Sequence, residues 1–406
     1  MLDDGAGPRD VSALQLPVLG RVDRDEHGAW QVLGADGMPM SAVSWFLADL
    51  SASDCADSTR RSYAYDILRW LRFLMAVEVD WKRATRREVR DFVRWFRESP
   101  NPQRSRRGDG CTRPPAGSLN PRTGKAYLAD GYAPRTINHS LSVLSEFYAY
   151  AVQAGLGPLQ NPVPAARRHA HTINRLSPPA RRAALRQKEP RRQPRDVTDD
   201  LLGELRAALT CERDRALVAV ALGTGVRAGE LLSMTCAGLD AGRGVISVVP
   251  KGGSVPVWVP AAPEAFVEIS RYLLTRPPGR GSDPLWLTLR APIRQLTYFA
   301  LRQVLERINV RLGSNIGWHD LRHTFTHRLL NDGMVGLSDV QQLLRHRDLT
   351  TLSAYSTSRV EELVEHLQAH EARPKPAPSA AGGYDVGELR ALFPGLPLPP
   401  PDKSSR

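Results

Sequence analysis

Between Gly157 and Arg195 the apolar periodicity of the chain stops. Ten Lys or Arg residues fall between Arg167 and Arg195 against one acid, Glu189, and prolines punctuate both ends of the segment. A stretch this charged and this poor in apolar side chains does not bury enough surface to offset the entropy of ordering it. Stable structure must therefore form on either side of it, and a chain of 406 residues is long enough for two domains. The segment reads in two ways. It is a solvated tether, or it is a strap along a phosphate backbone, where each basic contact releases counterions.

Before this break the patterning is helical. Residues 1–40 read as an acidic, irregular lead-in with one short strand near Ala29–Leu33. Helical spacing begins at about Ser41. Ser58 is placed to cap a helix with Tyr63, Ile67, Leu68, Leu71 and Leu74 inward and Arg60, Arg61, Arg69 and Arg72 on the other face. Thr85 and Glu88 have capping-box spacing ahead of Val89, Phe92, Val93 and Phe96. Pro134 suits the first turn of a helix reaching about Ala154, with Ile137, Leu141, Leu144, Phe147 and Tyr148 apolar. Residues 41–156 thus read as one all-helical domain interrupted by a Pro-, Gly- and Arg-rich loop at 99–133. That loop either meets an acidic partner through Arg104, Arg106, Arg107, Arg113 and Lys125 or is a solvated loop with no role.

After the break, residues 196–371 read as a second, mixed domain. Helical stretches are expected over 198–222, 228–236, 261–275, 295–312, 319–331, 337–345 and 359–370. Val245–Val249 and Val255–Val259 flank Lys251, Gly252 and Gly253, a hairpin pattern. Residues 372–406 form a Pro-rich tail. The fold class is mainly α with a small antiparallel β-sheet.

Charge narrows the partners. The formal net charge is +12, yet residues 1–57 carry ten acids and three arginines, leaving +19 on the rest. A basic body of this kind favours an acidic partner, nucleic acid first. The four cysteines, Cys55, Cys111, Cys211 and Cys236, form no CxxC pair and fit no zinc framework, so they read as reduced thiols of a cytoplasmic protein. No apolar run reaches the length of a membrane span, and the acidic N-terminus is no signal peptide.

The densest chemistry lies in HDLRHTFTHRLL, His319 to Leu330. His319, His323 and His327 share one helix face. A zinc site on that face would need a third ligand and usually a glutamate base; HDLRH has no such glutamate, and Arg322 in the same turn would repel a cation. A plain polar face is the bland alternative. A third reading is an anion cradle, in which the Arg322 fork grips a phosphate and the His319 imidazole moves a proton. That reading requires further cations. ALGTGVRAGELL supplies Arg227 after a Gly-Thr-Gly turn, with Glu230 one helical turn on to orient it. VVPKGGSVP supplies Lys251 at a hairpin tip, and QQLLRHRDLTTLSAYSTSR supplies His346 and, nine residues later, Tyr355.

This ordered set of Arg227, Lys251, His319-x-x-Arg322, His346 and Tyr355 resembles the tyrosine recombinase (phage integrase) family. TGVRAGEL and HDLRH match the two arginine boxes, and the resemblance covers about 196–370, with a weaker likeness of 41–155 to the family's core-binding domain. Arg345 replaces the glycine that usually precedes the final histidine, and Thr350-Thr351 sits one place earlier than is common; neither change removes a catalytic group. The resemblance implies a two-domain clamp that pairs the helical core-binding domain with a catalytic domain.

It also implies roles. Arg227 and Arg322 would grip the non-bridging oxygens of a phosphodiester, and Tyr355 would attack phosphorus to give a 3′-phosphotyrosyl link. His319 would accept the tyrosine proton, Lys251 would protonate the departing 5′ oxygen, and His346 would hydrogen-bond the phosphate. Neither metal, ATP nor any other cofactor is called for. The implied partner is double-stranded DNA, bound by a homotetramer on two sites, with accessory proteins and association with the nucleoid as further expectations and no membrane. A helix at 359–370, with Val360, Leu363, Val364 and Leu367 apolar, would pack on its own domain or on a neighbouring subunit. Tyr384, in the low-complexity tail, and Ser353 and Ser356 are weaker nucleophile candidates. Two alternatives stand beside a mobile-element integrase or excisionase: a type IB-like DNA topoisomerase, and a catalytically silent site-specific DNA-binding protein.

Overall fold

Acidic Asp57, basic Arg24 and the Trp30 ring tie the N-terminal lead-in to the first helical layer. The computed structural model describes residues 9–101, 114–165, 183–190, 196–250, 252–253, 255–331 and 337–344, all within one compact unit, 1–347. Strands β1 (Arg21–Arg24) and β2 (Trp30–Leu33) pair antiparallel, Arg21 opposite Leu33. The expected lead-in contained only the second of these, because RVDR carries three charges in four residues and no apolar run. Its pairing is decided by what it packs on. Arg72 donates to the carbonyls of Leu19 and Gly20, Trp95 Nε1 donates to Leu14 O, and Trp30 Nε1 and Arg24 both reach the Asp57 carboxylate. Val11 and Val32 are buried beneath them.

Helices α1 (Ser41–Ala52), α2 (Asp57–Ala76), α3 (Arg86–Glu98) and α4 (Pro134–Gln153) enclose the first core. The α3 capping box forms as expected, with the Thr85 N–H 2.9 Å from a Glu88 oxygen. Ser58 is not a cap. Helix α2 begins one residue earlier, at Asp57, whose charge favours the helix N-terminus. The core is aromatic: Trp70, Phe73, Phe92, Phe96, Phe147 and Tyr148 are buried, and Trp70 Nε1 donates to Tyr148 Oη, which donates to Trp81 O. Both polar tips are thereby satisfied, as burial requires.

Part of the basic segment lies on this domain. Gln187 N donates to Asn138 Oδ1, Asn138 Nδ2 donates to Glu189, and Arg186 donates to Asn138 O and Ser142 Oγ. One of its ten cations and its only acid are thus spent on α4. Residues 166–182 and 191–195, with most of the remaining cations, lie outside the described residues.

The second core gathers α5 (Asp199–Ala208), α6 (Glu212–Thr224), α7 (Ala228–Leu232), α8 (Pro263–Thr275), α9 (Tyr298–Leu312), the start of α10 (Trp318–Asn331) and a three-stranded antiparallel sheet, β3 (Leu239–Asp240), β4 (Val245–Val248) and β5 (Val257–Pro260), in that order. Helix α11 (Leu337–Leu344) packs on α10. The stretch 198–222, expected as one helix, is two. Leu209 and Cys211 are extended, and the acids Glu212 and Asp214 open a second helix that runs through the core, buried from Ala216 to Ala221. The hairpin forms with Ile246 opposite Val259. The helix expected over 228–236 closes after one turn, followed by a 3-10 turn at Cys236–Gly238.

Candidate active site

Gly225 ends α6 in the left-handed region, φ 60°, and turns the chain into α7. Two residues on, Arg227 precedes that short helix. The buried Glu230 carboxylate accepts the Arg227 backbone N–H at 2.9 Å and its guanidinium at 2.8 Å. A buried acid is thus paired with a half-buried cation, the contact that the spacing of Glu230 to Arg227 leads one to expect. Trp286 Nε1 donates to Leu231 O, Ser233 Oγ donates to Glu230 O, and Val249 N donates to Ser233 Oγ, bracing this turn against the sheet.

Helix α10 supplies the second arginine. Arg322 is 2% exposed, and its guanidinium donates to Gly225 O at 2.5 Å and to Leu344 O at 2.6 Å. One side chain thereby joins the α6 turn, α10 and the end of α11. The fork geometry that suits arginine to phosphate here also satisfies two backbone carbonyls. His319 lies one turn before it, and its ring meets that of His323 edge-on, centroids 4.2 Å apart. Close packing of protein holds the His319 imidazole below the ordinary histidine value, helped by the Arg322, Arg227 and Lys125 charges and opposed by Asp320. The third histidine of the face does not join them: His327 Nδ1 lies 3.3 Å from Asp196. Among the described residues, no three His, Cys, Asp or Glu side chains converge as a metal ion would need.

Burial pushes His323 further, down to about 4, with the His319 charge as the next cause and Arg322 and Lys125 acting the same way against Asp320. Its folded value lies below its unfolded one, so between about 6.5 and 4 the unfolded chain takes up a proton that the native state refuses. Stability contributed here is full above pH 6.5 and lost as pH falls through that window. Thermal melts of the wild type and His323→Gln should therefore converge with falling pH, the variant losing less. Parallel curves would show that His323 is not held neutral.

A cavity of about 1150 Å³ brings Arg227, His319 and Arg322 together, walled also by Tyr298, Gln303 and Arg307 of α9. Lys125 and Tyr127 of the loop at 99–133 line it as well; Lys125 is among the loop cations expected to meet an acidic partner, but the sequence places neither residue at this cavity. The described part of that loop, 114–133, docks on the second domain. Asn120 Nδ2 donates to Gly313 O, Arg122 donates to Leu312 O and Glu204, Asn315 Nδ2 donates to Lys125 O, and Lys125 Nζ lies 2.5 Å from Asp320. The Asn-Pro-Arg-Thr-Gly-Lys string is turn chemistry and signals an ordered loop; no local signal says what it docks on. Lys251, His346 and Tyr355 lie outside the described residues, as do Arg104, Arg106, Arg107, Arg113 and the stretch 359–370.

The sequence model of the Phage integrase family matches residues 193–362, and that of the Phage integrase, N-terminal SAM-like domain matches 43–108. Tyrosine recombinase XerD of Pseudomonas aeruginosa is 30% identical over 261 residues, 60% of this chain and 78% of that relative. Tyrosine recombinase XerA of Thermococcus kodakarensis is 28% identical over 256 residues, 61% of this chain and 80% of the relative. Tyrosine recombinase XerC of Roseiflexus castenholzii is 31% identical over 189 residues, 45% of this chain, which spans 57% of that relative's length. The chain belongs to the tyrosine recombinase (phage integrase) family.

Two solved structures share the fold. The Tn1549 transposon integrase in complex with transposon right end DNA has a TM-score of 0.56 at 15% identity, covering 82% of this chain and 99% of that one. A lambda integrase dimer bound to a COC′ core site has a TM-score of 0.51 at 16% identity, covering 77% and 96%. The fold is thus the mainly helical, two-domain fold of tyrosine recombinases, with small antiparallel sheets. Among the described residues, no helix is long and apolar enough to cross a membrane.

Proposed function

We propose that the protein is a site-specific DNA recombinase that cleaves and rejoins strands through a 3′-phosphotyrosyl intermediate on Tyr355, in the service of a mobile element. The observation that carries this reading is the convergence of Arg227, His319 and Arg322 on one cavity, with Arg227 held by Glu230 and Arg322 by the Gly225 and Leu344 carbonyls. A phosphodiester under attack gathers negative charge on its non-bridging oxygens, and fixed cations aimed there are commonly the largest catalytic term.

The Tyr355 oxygen forms a bond to phosphorus and its proton passes to His319, whose imidazole is biased toward its neutral, proton-accepting form by burial and the Arg322 charge. The bond from phosphorus to the 5′ oxygen breaks, and Lys251 supplies the proton that leaves with the 5′ hydroxyl. His346 steadies a phosphate oxygen. Rejoining runs the same steps backward. The phosphodiester energy stays in the tyrosyl bond, so the cycle needs no ATP, and two guanidinium groups supply the charge that a metal would otherwise bring. The substrate is double-stranded DNA, approached by the basic body of the chain, and the assembly is a homotetramer on two sites. The domains of this reading are a core-binding domain at 41–156 and a catalytic domain at 196–371.

The test is a suicide-substrate assay with nicked duplexes from the DNA flanking the protein's own coding sequence, read on a denaturing gel. Wild type should give a covalent adduct and Tyr355→Phe none, with DNA affinity unchanged. DNA binding without an adduct in either protein would support a silent site-binding protein instead. An adduct together with relaxation of plasmids of any sequence would mark a topoisomerase.

A further inference from the structure

The loop 118–127 belongs to the first domain by chain position, yet its side chains are spent on the second. It is closed on itself first. Asn120 Oδ1 accepts from the backbone of Arg122 and Thr123, Asn120 N donates to Lys125 O, Gly124 N donates to Asn120 O, and Gly124 takes φ 60°. Asn120 is fully buried, so a rigid turn is presented rather than a solvated one. Apart from the Arg122–Glu204 pair, its contacts with the second domain then fall on one short stretch, 312–320. Asn120 meets Gly313 O, Arg122 meets Leu312 O, Thr123 meets Asn315, and Lys125 meets Asp320.

Asp320 is the residue after His319. Its Oδ2 accepts two donors, the Lys125 ammonium at 2.5 Å and the backbone N–H of Gly317 at 2.7 Å. The same carboxylate therefore caps the first turn of α10 and holds the loop. Charge-assisted bonds of this kind are the strong ones, and they orient the acceptor. Lys125 keeps Asp320 on the cap; the cap fixes the turn from which His319 projects into the cavity.

We propose that loop 118–127 is a closure latch: seated through Lys125 on Asp320, it fixes the first turn of α10 and makes the His319 geometry depend on the first domain being docked on the second. Lys125 is a positioning residue, acting through Asp320. For a recombinase this links closure of the protein around DNA to competence for cleavage. That link rests on the function proposed above; the latch itself does not.

Two measurements on the full chain separate the two. Without DNA, amide hydrogen exchange at Gly317, Asp320 and Leu321 should be about tenfold faster in Lys125→Ala than in wild type, the size expected for losing one charge-assisted bond. Lys125→Arg, which still pairs with Asp320, should return most of the protection. Unchanged exchange in Lys125→Ala overturns the latch, whatever the protein does to DNA.

On nicked DNA at saturation, Lys125→Ala should cleave about tenfold more slowly with affinity within about twofold of wild type. A covalent latch should then rescue it. Thr123→Cys and Asn315→Cys replace side chains that touch, and their disulfide, formed after DNA is bound, should restore the rate of Lys125→Ala and lose that gain on reduction. Failure of the lock to restore the rate overturns the positioning role and makes Lys125 a direct DNA contact. If wild type forms no adduct at all, the proposed function falls, and hydrogen exchange alone decides the latch.

Discussion

Arg227→Ala should lower the rate of strand cleavage at saturating DNA by about 100- to 1000-fold, the usual cost of one preorganised donor at a developing charge. DNA affinity should change little, because one contact among many positions the backbone. The substitution has a second consequence that would confuse a careless reading. Glu230 is 1% exposed and takes both the backbone N–H and the guanidinium of Arg227. Removing the guanidinium takes one charged partner from that buried carboxylate, at a cost of about 1–3 kcal/mol. The variant should therefore be less stable as well as slow.

Glu230→Gln resolves the ambiguity. In the double variant the Glu230 charge is gone, and an amide still accepts the Arg227-position backbone N–H. Chemical denaturation should recover most of the lost stability, while cleavage stays at the level of the single variant. Recovery of cleavage along with stability would mean that Arg227 acts only by holding the turn, and the charge-stabilising role would have to be abandoned.

What the sequence reveals about this protein follows the range of the interactions involved. The Thr85–Glu88 box, the hairpin between Val245 and Val259 and the helix that carries His319 and Arg322 all depend on residues within a few positions of one another, and each forms as expected. The split of the stretch at 198–222 depends on how Leu209 and Leu217 enter one core, and no local spacing carries that. Strand β1 is charged and short, and becomes a strand only because β2 and α2 lie beside it. At the site, arginine and histidine chemistry names Arg227, His319 and Arg322 from their own motifs. Lys125 reaches the same cavity across 195 residues of chain to Asp320, a contact that no motif around Lys125 encodes. The dual use of Arg322 is equally hidden: its type suits a phosphate, but that it also braces Gly225 and Leu344 is visible only in the fold.

Gly225→Ala should damage the protein more than any other single-methyl change near the site. The backbone at Gly225 has φ 60°, where a Cβ costs about 1–2 kcal/mol. A Cβ built there would lie 2.2 Å from Phe325 Cδ1 and 2.8 Å from Cε1, so the Phe325 ring must also move, adding about 1–3 kcal/mol of overpacking. The two costs can be told apart. Gly225→Ala with Phe325→Leu removes most of the collision and none of the φ strain, so it should recover only part of the stability lost by Gly225→Ala in a denaturant titration. Cleavage should follow a different course. Gly225 O accepts from Arg322, and Arg227 follows two residues later, so a shift of this turn displaces both cations at once. Even where folding is restored by excess stability at low temperature, Gly225→Ala should cleave at least as slowly as Arg227→Ala. Wild-type stability and rate in this variant would show that the turn is not held at positive φ against Phe325, and the placement of both arginines would have to be redrawn.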